Sequence, residues 1–86
     1  MEKNELIIQE LTHYNAGSIY QNAQSSLFEH KNLYLDLISI QKFDSSIFSV
    51  LLGLRRIANK HAFILKITLS SKLQTLASVY GISNIL

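Results

Sequence analysis

The 86-residue chain contains no cysteine, which excludes a disulfide framework and a thiolate metal site and fits a reducing compartment. Its three glycines, Gly17, Gly53 and Gly81, stand far apart. A P-loop or a dinucleotide-binding fingerprint needs glycines clustered in one short loop, so neither can be built. No apolar run approaches the roughly 20 residues that span a bilayer. The acidic-basic-polar start, Met1 to Glu5, lacks the basic-then-apolar plan of a signal peptide. The sequence therefore predicts a soluble cytoplasmic protein. His13, His30 and His61 show no ligand spacing, so no metal site is expected, and no cofactor either.

Charge is sparse: 16% of the residues are Asp, Glu, Lys or Arg, against about 25% in an average domain. The apolar fraction of 48% is ordinary, and the length suits one domain with one core and a thin stability margin. The net charge of +2 hides a segregation. Residues 1–40 carry five acids and two bases, whereas residues 41–86 carry six bases and only Asp44. No dense basic patch with stacking aromatics accompanies that bias, which argues against nucleic-acid binding. An acidic protein partner fits the pattern better.

The most informative stretch is Phe43-Asp44-Ser45-Ser46, running directly into Ile47 to Arg56. Asp and Ser side chains satisfy the free N–H groups of a first helical turn, so a helix should begin within a residue of Ser45 and end near Asn59-Lys60. At about 100° per residue, Ile47, Val50, Leu51, Leu54, Ile57 and Ala58 share the core face. Ser45, Phe48, Leu52, Arg55, Arg56 and Asn59 lie roughly opposite. A helix packed on a single sheet leaves Phe48 and Leu52 in need of a partner.

Around this helix the periodicity predicts a strand over Leu6 to Leu11 and a helix from Thr12 or Asn15 to about Glu29. The nearly continuous apolar segment Asn32 to Ile38 predicts a central strand covered on both faces, followed by a short loop over Ser39 to Phe43. A third strand is expected over Phe63 to Ile67. A last helix, capped by Ser70 or Ser71, should carry Leu73, Leu76, Ala77 and Tyr80 on one stripe and stop at Gly81. The apolar tail Ile82 to Leu86 should tuck back onto the domain. Strand and helix alternating with short connections imply an α/β fold: a mostly parallel sheet of three to four strands with three to four helices, in a single domain over residues 1–86.

No catalytic constellation is evident. Asp36 and Asp44 could pair as acid and base, but a strand-end hydrogen-bonding role for Asp36 is the simpler reading. Ser45, behind Asp44, is a different matter, because a helix N-terminus favours an added dianion. Ser45 is thus a phosphorylation candidate as well as a cap.

Leu35-Asp36-Leu37-Ile38-Ser39-Ile40-Gln41-Lys42-Phe43-Asp44-Ser45-Ser46, followed by Val50-Leu51-Leu52, resembles the central signature of STAS domains. In that signature a Leu-Asp-Leu strand leads at fixed spacing to Asp-Ser-Ser or Asp-Thr-Gly at the head of a helix. Leu73 to Ile82, with its Leu-Ala-x-x-Tyr-Gly ending, looks like the family's closing segment. Within the family the chain looks most like the cytoplasmic STAS subunits of Mla-type phospholipid ABC transporters. Ile47 stands where the family usually has Gly, and Ile38 where a small polar residue is common. The family commonly has another strand before the first one here, so an exposed sheet edge, and weak self-association through it, are implied.

The resemblance implies a non-enzymatic subunit, cytoplasmic and peripheral to the inner membrane. It would bind and stabilise or activate the transporter's ATPase, in a system that maintains outer-membrane lipid asymmetry. Ser45, Phe48, Leu52, Arg55 and Arg56 would make the contact, and the membrane would be met only through the transporter. The alternative is a phospho-switch like the anti-sigma-factor antagonists, in which a partner kinase modifies Ser45.

Overall fold

The computed structural model describes residues 4–86; of the Met1 to Glu5 start, residues 1–3 lie outside the described residues. The elements are β1 (Glu5–Ile7), β2 (Glu10–Leu11), α1 (Ala16–His30), β3 (Asn32–Leu37), β4 (Lys42–Phe43), α2 (Ser46–His61), β5 (Ile64–Leu69) and α3 (Ser71–Val79). A three-stranded sheet has the order β1-β3-β5 and a second pair joins β2 to β4, all of them parallel. The α/β architecture with a parallel sheet and three helices is as expected.

Because the order β1-β3-β5 steps in one direction, right-handed crossovers place α1 and α2 on the same face of the sheet, and these two helices pack together. Leu33, Leu35 and Leu37 of β3 are buried among Ala23 and Leu27 of α1 and Ile47, Leu51, Leu54 and Ala58 of α2. The alternate residues Asn32, Tyr34 and Asp36 are only half-buried. This corrects the expectation that β3 is covered on both faces. The outer face carries Tyr34, whose hydroxyl accepts from Thr68 Oγ1 at 2.8 Å, and the exposed side chains of Ile7 and Ile64.

The strand expected over Leu6 to Leu11 is broken in two. Its first part follows β3 until the Ile8 N–H donates to the Asp36 carbonyl at 3.0 Å. From there Gln9 turns to the returning chain, its carbonyl accepting from the Gln41 N–H at 2.8 Å, and β2 pairs with β4. The segment Ser39 to Phe43, expected as a loop, therefore contains a two-residue strand.

At the far end, Ser70 Oγ accepts the Leu73 N–H at 3.2 Å and starts α3. Gly81, at φ 72°, supplies the left-handed turn after it. The chain then doubles back. The Ile82 N–H donates to the Ala77 carbonyl at 2.9 Å, and Ile82 and Leu86 pack against the core.

Candidate functional site

The head of α2 is fastened by Asp44. Its Oδ1 accepts the Ser46 N–H at 2.9 Å, while Oδ2 accepts the His13 N–H and lies 2.9 Å from His13 Nδ1. One carboxylate thus caps α2 and clamps it to the loop before α1. The His13 side chain above all, with the backbone N–H groups of His13 and Ser46, holds this carboxyl well below the usual carboxylate range. Ser45 is exposed and its side chain makes no capping bond. Capping falls to Asp44, which leaves the Ser45 hydroxyl uncommitted. Asp36 is occupied separately, its Oδ1 accepting the Ile38 N–H at 3.0 Å, which is the strand-end role rather than an acid–base pair with Asp44.

Beside that head, Ala16, Gly17 and Tyr20 of α1 and Ser46, Ser49 and Val50 of α2 line an open groove of about 370 Å³. The helices approach closely because Gly53 makes room for Tyr20. A Cβ at Gly53 would sit 2.8 Å from Tyr20 Cε1.

The outward side of α2 differs from the helical-wheel expectation. Phe48, expected on an exposed stripe, is 8% exposed. Tyr80 stands against it edge-on, with ring centroids 5.3 Å apart. The end of α3 and the returning tail supply a second packing surface on this side. Arg55, expected as a rim charge, is drawn inward as well: Nη1 donates to the Leu65 carbonyl and Nε to the Leu86 oxygen, each at 2.9 Å, and Nη2 also reaches Leu86. Burial lowers its pKa from the ordinary arginine value, yet a guanidinium stays charged. Arg55 thus ties α2 to β5 and to the tail.

Leu52 is half-buried and lines a hollow with Arg55, Arg56, Asn59 and Ile85. Arg56, Asn59 and Lys60 are exposed. Sequence reasoning missed the apolar side chains that border this strip, Tyr80 at 58% exposure and Ile85 at 54%. The helical spacing puts Tyr80 on the core stripe of α3. Its position next to Gly81, beyond the last regular turn, was the available sign that it would lie at the margin.

Comparison with models of known protein families and with curated proteins gives no match. Among the described residues, no helix is long and apolar enough to cross a membrane, and no three His, Asp or Glu side chains gather where a metal ion could be held.

Proposed function

We propose that this chain is a non-enzymatic protein-binding subunit that docks through the outward strip of α2. One observation carries the reading: Ser45, Ser49, Leu52 and Arg56, spaced four, three and four residues apart, form a single strip about 16 Å long, beginning at a hydroxyl that serves no structural bond. Tyr80 and Ile85 widen it with exposed apolar surface. A small apolar centre with a cationic end suits a protein partner whose docking site is acidic at its edge.

The partner we propose, on the resemblance of Leu35 to Ser46 and Val50 to Leu52 to STAS domains, is the ATPase of an Mla-type phospholipid ABC transporter. The subunit would stabilise or activate that ATPase. It would thereby sit at the cytoplasmic side of the inner membrane and support outer-membrane lipid asymmetry. Co-expression tests this. The ATPase should co-purify with the wild-type chain and hydrolyse ATP faster, and Ser45→Asp should weaken both by placing an unpaired charge in the contact.

The uncommitted Ser45 hydroxyl also favours a second reading, a switch thrown by a partner kinase, since a helix N-terminus stabilises a phosphoryl dianion. Phosphorylation of Ser45 by kinase and ATP, controlling partner binding by itself, would select that reading.

A further inference from the structure

At the opposite end of α2, about 22 Å from Ser45 along the helix axis, the α1–β3 and α2–β5 turns meet, with the Ile64 N–H donating to the Lys31 carbonyl at 3.1 Å. Three rings cluster there. Phe28 stands edge-on to His61 and Phe63, with centroids 5.0 and 5.3 Å away, and His61 stacks on Phe63 at 5.2 Å. The cluster is not sealed from water: Phe28 is 42% exposed and the neighbouring Ile64 71%.

Lysines outnumber acids around it. Lys31 and Lys60 are exposed at the two turns, and Lys66 follows Ile64 on the same face of β5. Glu29 borders them in sequence, and the exposed Glu5 of β1 stands level with Lys66 across β3. We propose that this end of the domain is a docking surface for an anionic lipid bilayer, with Phe28 and Ile64 entering the interfacial region and Lys31, Lys60 and Lys66 facing acidic headgroups.

The form of the patch favours a bilayer over an acidic protein. Both turns end in left-handed caps, Lys31 at φ 61° and Ala62 at φ 58°, so rings and lysines are carried on two tight chain reversals at the tip of the fold. A tip bearing rings, an exposed isoleucine and lysines matches a soft planar anionic surface, in which apolar burial and headgroup attraction add. The inference does not rest on the α2 docking strip. The two surfaces use different stretches of α2, the strip ending at Arg56 one turn before Lys60.

Sedimentation of the 86-residue chain with phosphatidylcholine vesicles, with and without phosphatidylglycerol, tests it. Binding should require phosphatidylglycerol and weaken with salt. The double variant Lys31→Glu/Lys60→Glu should lower the affinity by more than about twentyfold, at roughly fivefold per lysine lost. Ile64→Ser should lower it several-fold without change in melting temperature, because that side chain is largely in water. Equal binding to both vesicle types, binding indifferent to both variants, or binding to RNA or an acidic protein with none to phosphatidylglycerol would overturn it. Both variants should still capture the ATPase, so this inference and the proposed function fail separately.

Discussion

The Tyr80 ring stands edge-on to Phe48, with centroids 5.3 Å apart and planes at 76°, and the inner ring is 8% exposed while the outer is 58% exposed. The pair converts Phe48 from a surface group into core. Phe48→Ala should therefore cost about 3 kcal/mol of stability, read as a lower denaturation midpoint. Tyr80→Ala should cost about 1 kcal/mol. If Phe48→Ala melted like wild type and lost only partner binding, Phe48 would be a contact after all.

Capping of α2 is assigned to Asp44 rather than Ser45. Ser45→Ala should leave the melting temperature within the range of an ordinary surface change, about 0.5 kcal/mol. Asp44→Ala should lower it clearly, because the Ser46 N–H and the His13 clamp lose their acceptor together. Thermal melts of the two variants decide the order.

The same carboxylate sets a pH dependence. Its folded pKa is depressed from an ordinary value of 3.8, so its stabilising contribution is fully present above that value and is lost as pH falls through the depressed one. Carboxyl chemical shifts followed by NMR should show Asp44 still ionised below its ordinary value of 3.8. His13→Ala should return Asp44 toward 3.8, since the His13 side chain is the leading cause of the shift.

Arg55 and Arg56 are neighbours with separate tasks. Arg55→Ala removes the donors to Leu65 and Leu86 and should destabilise the fold by about 2 kcal/mol, with faster amide exchange over residues 82–86. Arg56→Glu should melt like wild type, because exposed charges contribute little. It should instead slow association with an acidic partner and reverse the salt dependence of the rate.

Much of this was legible in the chain. The Asp44-Ser45-Ser46 start and the Ile47, Val50, Leu51, Leu54 stripe placed α2 to within a residue or two, since both signals are local. The apolar segment Asn32 to Ile38 marks the strand Asn32–Leu37 but not its covering. Leu33, Leu35 and Leu37 alternate with Asn32, Tyr34 and Asp36, and that period of two, rather than the apolar run, described a sheet open on one side. The break after Ile7 depends on where the chain after Leu37 returns, which no local pattern encodes. The site suffered for a similar reason. The wheel for α2 assumed one packing surface, whereas α3 and the tail bring a second, which buries Phe48 and engages Arg55. Ser45, Leu52 and Arg56 keep the outward positions the wheel assigned.

The proposed contact joins the outward strip of α2, bordered by Ile85, to the transporter ATPase. The most direct measurement is a binding titration of the purified ATPase subunit with the wild-type chain and with Arg56→Glu/Ile85→Ser, two exposed positions whose replacement should leave the melting temperature unchanged. The wild type should bind saturably, and the variant should lose at least tenfold in affinity, about 1.4 kcal/mol. Equal affinity of the two chains, or no binding of the wild type, would contradict it.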